Sequence, residues 1–176
     1  MNSFRREILI SGFGGQGVVL AGRSLGLAAV HGGLEATMLI SHGTETRGGY
    51  VRSQLVISDG EIDSPVVERA DVFLALSQAA YERFRGMALN GLTLYDSDLV
   101  EPTEGLTHQL ALPARRIAIE SLGTEQAANM VALGHIAKLL DFLPFDCLRQ
   151  AVTELSKRGR EVNLAALELG RSLELE

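Results

Sequence analysis

The 176-residue sequence predicts one α/β domain, spanning residues 1–176, with a doubly wound, mainly parallel, Rossmann-like sheet and a helical C-terminal part. Three observations predict this fold. Short apolar runs alternate with helical stretches in the first half, which is typical of parallel strands joined by crossover helices. A glycine-rich turn follows the first apolar run, where nucleotide-binding folds place one. The second half shows helical periodicity.

Six segments are predicted to be strands because each is a short apolar or alternating run, most of them bounded by glycine or turn residues. They are Glu7–Ser11, Glu35–Ser41, Tyr50–Ser58, Asp71–Leu76, Leu92–Tyr95 and Gln109–Leu112. In the third strand the alternation places Val51, Leu55 and Ile57 on one face. The sequence therefore supplies enough strands for an open sheet.

Five segments are predicted to be helices, mostly because apolar residues recur at three- and four-residue steps. They are Gly15–His31, Gln78–Arg85, Ala127–Leu140, Phe145–Lys157 and Asn163–Leu173. Gly32 and Gly33 are expected to end the first helix, as glycine commonly does at a helix C-terminus. The apolar-faced C-terminal helices are expected either to cap the sheet or to dock on a partner.

Composition disfavours several functional classes. The net charge is −6 and aromatic residues make up 5% of the chain, so neither a basic surface for phosphate contacts nor stacking platforms for nucleic acid are expected. No apolar run is long enough for a transmembrane helix, so no membrane partner is expected. Cys147 is the single cysteine. It cannot form an internal disulfide, and we predict a cytoplasmic protein.

The segment from Gly12 to Gly17 reads GFGGQG and lies between the first strand and the first helix. Glycines at this point allow a tight turn, and free N–H groups at the helix N-terminus favour an anion. A dinucleotide-binding protein usually carries an acidic residue at the end of the second strand, but Glu35 lies at its beginning. The alternatives are a purely structural crossover, or a turn that binds a phosphate-bearing ligand or a partner segment.

The loop after the second strand, Ser41–Gly49, is rich in polar groups and glycine. Loops at the carboxyl ends of parallel strands line the ligand crevice, so we expect this loop near the glycine-rich turn. Arg47 offers a planar guanidinium for a carboxylate or phosphate, or else it pairs with Glu45 as part of a structural loop. The candidate cofactor-binding residues are Gly14, Gly15, Gln16, Gly17, Thr44 and Arg47. No catalytic or metal-binding residue is predicted.

Taken in order, SGFGGQG (Ser11–Gly17) and GTETRGG (Gly43–Gly49) resemble the gamma subunit, or gamma domain, of 2-oxoacid:ferredoxin oxidoreductases. The resemblance covers most of the chain. It continues through Ile57–Asp59, Ile62, Pro65, Ala70–Val72, Ala75–Ser77, Ala128–Val131, Leu133–Gly134 and Asn163. This chain departs from the expected pattern at Thr44, where proline is expected, and at Thr46, where a small apolar residue is expected.

The resemblance implies a division of labour among subunits. Enzymes of this family oxidise pyruvate, 2-oxoglutarate, 2-ketoisovalerate and other branched 2-oxoacids, or indolepyruvate, to an acyl-CoA and reduce ferredoxin. Thiamine diphosphate, magnesium, [4Fe–4S] clusters and CoA are expected on the assembled complex, and no cofactor is expected on this chain. The expected partners are alpha, beta and ferredoxin-like delta subunits, and ferredoxin indirectly. The isolated chain is expected to be inactive, and a homodimer is possible.

Two alternatives from other functional classes stay open at this point. One is a free-standing NAD(P)-dependent dehydrogenase, which the missing acidic residue disfavours. The other is a non-enzymatic nucleotide-binding scaffold module. Asn129 is expected either to fasten a neighbouring loop or to contact a ligand, because a buried amide needs hydrogen-bond partners. Asp71 is expected to be a capping or turn residue.

Overall fold

A six-stranded sheet forms the centre of the computed structural model, which describes residues 4–43 and 49–174. The strands are β1 (Arg5–Phe13), β2 (Glu35–His42), β3 (Tyr50–Ser58), β4 (Val72–Ala75), β5 (Leu92–Asp96) and β6 (Gln109–Leu112). Their order is β2-β3-β1-β4-β5-β6. β1, β4, β5 and β6 are parallel neighbours, whereas β3 is antiparallel to both β1 and β2. The predicted α/β class and mainly parallel sheet are confirmed.

β3 lies between β1 and β2, a placement that the sequence did not predict. Only residues 43–49 connect β2 to β3, whereas a parallel crossover needs about a dozen residues or more. The chain therefore returns antiparallel beside β2. β3 then pairs with β1 along its whole length, from Arg5 opposite Ser58 to Phe13 opposite Tyr50.

Six helices accompany the sheet in the described ranges. They are α1 (Val18–His31), α2 (Gln78–Phe84), α3 (Ala114–Leu122), α4 (Ala128–Leu139), α5 (Phe145–Leu155) and α6 (Arg160–Ser172), with short 3₁₀ turns at Arg85–Ala88 and Glu125–Ala127. The five predicted helices are confirmed to within a few residues, but α3 was missed because its polar sequence gives a weak apolar pattern. Among the described residues, no helix has both the length and the hydropathy needed to span a bilayer.

The helices cover the two faces of the sheet unequally. Ile8 and Ile10 of β1 pack on one face in the main core, together with buried residues of α1, α3, α4, α5 and α6. Leu9 faces the opposite side and joins a smaller cluster that includes Tyr81 and Phe84 of α2. Helices therefore cover both faces of the sheet, as expected for a doubly wound fold, but the face that carries α2 has the smaller hydrophobic cluster. The C-terminal helices cap the sheet, which was one of the two roles expected for them.

Two glycines bring α4 and α6 into close contact. A Cβ added at Gly134 would overlap the carbonyl oxygen of Leu167, and a Cβ added at Gly170 would overlap the carbonyl oxygen of Val131. Each glycine therefore faces the backbone of the other helix, and no side chain could move aside to make room. This close contact fixes α6 against α4, the helix that also reaches the carboxyl edge of the sheet.

The substitution Gly170→Ala should destabilise the protein by about 1–3 kcal/mol, because the added methyl group meets backbone atoms and forces the helices apart. At an unconstrained helical position the same change would stabilise by roughly 0.5–1 kcal/mol. Urea unfolding measures the difference. Gly86→Ala is the matched control, because Gly86 is exposed and an added Cβ there meets no atom within 4 Å. Equal stability of the two variants would contradict the close-contact interpretation.

His135 is the buried titratable group of α4, with 3% of its surface exposed. Its Nδ1 has no hydrogen-bond partner among the described residues. Burial lowers the pKa of His135 below its ordinary value, Lys138 lowers it further, and the backbone of Gly170 and the carboxylate of Glu174 act in the opposite direction. The folded protein therefore favours the neutral imidazole more strongly than the unfolded chain does.

Folding stability should decrease as the pH falls below about 6.5, the ordinary histidine pKa, because the unfolded chain then binds a proton that folded His135 resists. His135→Met should reduce this decrease, measured as the free energy of unfolding in urea between about pH 7 and about pH 5. His42→Gln, at the exposed end of β2, keeps His135 in place and should retain the decrease. An unchanged slope in His135→Met would show that other groups cause it.

Candidate functional site

A pocket of about 330 Å³ opens at the carboxyl edge of the sheet. It lies beside β1 and β4, where the chain passes from one half of the sheet to the other, which is the usual ligand crevice of open α/β sheets. Its walls come from the turn after β1, the ends of β4 and β5, and the first residues of α3 and α4. Gly14, Gly15 and Gln16, three of the predicted site residues, line it.

Gln16 holds the turn after β1 in place. Its side-chain Oε1 accepts from the backbone N–H of Phe13 at 2.6 Å, and its Nε2 donates to the carbonyl oxygen of Leu76 at 2.7 Å. The amide thus joins the end of β1 to the residue that follows β4. Both ends of the Gln16 amide are used within the chain, so Gln16 positions the pocket wall.

The three glycines of the turn have different constraints. Gly15 and Gly17 have φ values of 90° and 73°, which disfavour any other residue. A Cβ at Gly17 would also overlap the side-chain amide of Asn129. At Gly14 an added Cβ meets nothing within 4 Å and φ is not positive, so the fold itself does not require glycine there. Gly14 leaves open space at the wall of the pocket.

Asn129 links α4 to the start of α1. Its Nδ2 donates to the carbonyl oxygen of Gly17 at 3.2 Å, which confirms the expectation that this amide fastens a neighbouring loop. Its side chain is almost completely buried and also lines the pocket. Oδ1 has no partner among the described residues, although a buried carbonyl normally accepts a hydrogen bond. Asn129 therefore has one acceptor left for a ligand group or a water molecule.

Asp96, the last residue of β5, is a buried carboxyl group of the site that sequence reasoning missed. It is 2% exposed. One oxygen accepts from the N–H of Asp98 at 3.0 Å and the other from the N–H of Arg115 at 2.9 Å, so the carboxylate caps the start of α3. Burial raises the pKa of Asp96 above its ordinary value, although these two hydrogen bonds oppose the rise. The sequence signal that could have identified Asp96 was its position at the carboxyl end of a strand, next to the expected ligand crevice.

Arg115 and Glu125 form an ion pair at the pocket and were also missed. Nε of Arg115 donates to Oε2 of Glu125 at 2.8 Å, and both side chains are partly exposed. Arg115 is the second residue of α3, the helix that was not predicted, so nothing in the sequence pattern placed it near the glycine-rich turn. The described wall of the pocket thus has one cation, Arg115, and two acidic groups, Asp96 and Glu125.

Thr44 and Arg47 lie outside the described residues, so their place in the site stays a prediction. The residues flanking that segment are described. The N–H of Gly43 donates to the carbonyl oxygen of Tyr50 at 2.8 Å, and Tyr50 pairs with Phe13, just before the glycine-rich turn. The two ends of the loop therefore lie at the same edge of the sheet as the turn.

The arrangement is suited to binding. Within residues 4–43 and 49–174, no three His, Cys, Asp or Glu side chains are grouped so that they could hold a metal ion. The buried polar groups at the pocket are an amide and a carboxyl group, and both also hold backbone segments in place. Within this part of the chain the pocket offers a helix N-terminus, a guanidinium group and an unpartnered carbonyl oxygen to a ligand.

Gly17→Ala should destabilise the protein by about 1–3 kcal/mol, because it combines a positive φ with overlap on Asn129. Gly14→Ala is the matched control three residues earlier in the chain, where both constraints are absent, and its stability should stay within about 0.5 kcal/mol of the parent. Thermal and urea unfolding measure both. A destabilised Gly14→Ala variant would show that the turn does not accept a methyl group at this position, although its geometry leaves space for one.

Comparisons with known proteins agree with this architecture. The family model described as pyruvate ferredoxin/flavodoxin oxidoreductase matches residues 7–173. The 2-oxoglutarate synthase subunit KorC of Methanocaldococcus jannaschii is 38% identical, with 94% of this chain and 92% of that protein covered. KorC of Methanothermobacter thermautotrophicus is 37% identical, with coverages of 100% and 98%.

A solved structure shows the same fold. The gamma subunit of the keto/oxoacid ferredoxin oxidoreductase from Geobacter sulfurreducens superposes with a TM-score of 0.82 at 33% sequence identity, covering 95% of this chain and 94% of that one. Family model, relatives and structure therefore agree with the resemblance found in the sequence. The chain belongs to the pyruvate ferredoxin/flavodoxin oxidoreductase family, as a gamma-type member.

Proposed function

We propose that the chain is the gamma subunit of a multi-subunit 2-oxoacid:ferredoxin oxidoreductase and that its pocket contributes to the CoA site of the assembled enzyme. Family membership over residues 7–173 is the observation that carries the subunit assignment. The pocket beside the glycine-rich turn supports the binding role. We place the complex in the cytoplasm, in keeping with a single, unpaired cysteine.

The redox chemistry belongs to other subunits in this proposal. A [4Fe–4S] cluster normally takes four cysteine thiolates, and this sequence contains one cysteine. Cys147 is partly buried on α5, in contact with the main core. Thiamine diphosphate with its magnesium ion, and the clusters that pass electrons to ferredoxin, are assigned to the alpha, beta and ferredoxin-like subunits. The isolated gamma chain then does not turn over a 2-oxoacid, and it can self-associate through surfaces that its partners normally cover.

The residues at the pocket fit a contribution to CoA binding. Open space at Gly14 lets a ligand approach the backbone of the turn, and the first N–H groups of α1 favour a phosphate. Asn129 Oδ1 can accept a hydrogen bond from an amide or hydroxyl group. CoA supplies phosphate, amide and hydroxyl groups together, and as acyl acceptor it would bring its thiol to the reacting carbonyl carbon.

The dehydrogenase alternative is disfavoured by the strand order. A dinucleotide site needs the end of β2 beside β1, so that a side chain there reaches the ribose. Here β3 lies between them, which puts β2 two strand spacings from β1, about 10 Å away. That end also carries Ser41 and His42, and neither is acidic.

Co-expression with candidate alpha, beta and delta subunits should give a complex that co-purifies with the gamma chain and reduces ferredoxin with a 2-oxoacid and CoA. A panel of pyruvate, 2-oxoglutarate, 2-ketoisovalerate and indolepyruvate identifies the substrate. The gamma chain alone should be colourless, iron-free and inactive. Failure to associate with any candidate subunit, or nicotinamide binding by the gamma chain alone, would contradict the proposal.

The same complex tests the pocket. Gly14→Ala should raise the KM for CoA by about fivefold or more, because a methyl group occupies space that the ligand needs, while the complex stays intact. Gly86→Ala, on the lightly covered face of the sheet, is the control and should leave the KM unchanged. Equal CoA kinetics in both variants would place the CoA site away from this pocket without affecting the subunit assignment.

A further inference from the structure

We propose that Arg115 is the cationic contact for a phosphate-bearing ligand in this pocket and that Glu125 competes with the ligand for it. The inference rests on the proposed function only in taking the pocket as a ligand site. It concerns two residues at which the sequence analysis expected nothing. Because of this competition, removing the charge of Glu125 should improve binding of the ligand.

The position of Arg115 is fixed by its own backbone. Its N–H donates to Asp96 Oδ2 at 2.9 Å, which holds the first turn of α3 against the end of β5. The side chain therefore starts from a rigid point on the pocket wall. Arg115 is the one cation among the described residues that line the pocket.

The guanidinium of Arg115 is only partly used within the chain. Nε donates to Glu125, and the two terminal nitrogens have no hydrogen bond to another described residue. A guanidinium group has five N–H donors in a planar fork that suits phosphate. Four of these donors remain for a ligand, and they lie in a wall that also contains Gly14 and Gly15.

Glu125 is a weak partner for Arg115. It begins the 3₁₀ turn Glu125–Ala127, which Thr124 caps, and its side chain is 58% exposed. Solvent-exposed ion pairs of this kind contribute little to stability, so a ligand phosphate can displace the carboxylate. Glu125 then reduces the affinity for anions in two ways, by occupying Nε of Arg115 and by repelling negative charge.

Asn129 adds an independent indication of a ligand. Its side chain is 3% exposed, lines the same pocket, and carries an unpartnered carbonyl oxygen. This acceptor cannot bind a phosphate oxygen, so it requires an N–H or O–H donor. The chemistry of the pocket therefore fits a ligand that carries a phosphate group together with a hydroxyl or amide group.

Titration of the purified full-length chain with inorganic pyrophosphate at constant ionic strength, followed by amide chemical shifts in NMR, tests the charge competition. Arg115→Gln should weaken binding by about tenfold or more, since a charge-assisted hydrogen bond is lost. Glu125→Gln should tighten binding by about two- to fivefold, the effect of removing an exposed ion pair.

Two neighbouring variants make the same changes of charge outside the pocket. Arg116→Gln removes the adjacent guanidinium of α3, which pairs with Asp98, and Glu120→Gln removes an exposed carboxylate of the same helix. Both should bind pyrophosphate as the parent does. Equal effects of Arg115→Gln and Arg116→Gln, no gain in Glu125→Gln, or no shift at Gly14 and Gly15 would each overturn the proposal. Loss of subunit association is a different outcome and bears on the proposed function alone.

Discussion

The site depends on two amide side chains that hold the turn between β1 and α1. Gln16 joins this turn to the end of β4, and Asn129 joins it to the start of α4. Backbone groups in a tight turn would otherwise exchange hydrogen bonds with water. With these two amides in place, the turn is fixed relative to β1, β4 and α4, so the shape of the pocket is set by contacts within the chain.

The buried carboxyl group in the pocket wall also holds backbone segments in place. Asp96 is the titratable group that is deepest in its wall, yet both of its oxygens accept backbone N–H groups. One lone pair on each oxygen is therefore directed at the backbone. Asp96 fixes α3, and through α3 it fixes Arg115. This structural part of Asp96 agrees with the proposed role, in which the subunit supplies shape and charge to a site completed by other chains.

Local patterns in the sequence predicted most of the fold and the glycine-rich wall of the candidate pocket. The glycine-rich turn, the termination of α1 at Gly32 and five helices were visible because periodicity and glycine placement act within a few residues. α3 and Asp96 were not visible, since a polar helix of nine residues and a strand-end carboxylate acquire meaning only from their tertiary neighbours. The short connection between β2 and β3 requires an antiparallel return, but the place of β3 between β2 and β1 depends on tertiary pairing that no local pattern encodes.

The position of β3 determines which residues the turn can use. In a dinucleotide-binding fold the end of β2 lies beside β1 and completes the site from that side. Here β3 fills that position, so the described pocket extends instead toward β4, β5 and the helices behind them. Behind that wall, Gly134 and Gly170 let α6 pack close to α4, and α4 carries Asn129 to the turn. A glycine-rich turn of the nucleotide-binding type thus faces a pocket wall that is built in part from α3 and α4. Among the described residues of that wall, Arg115 is the one cation.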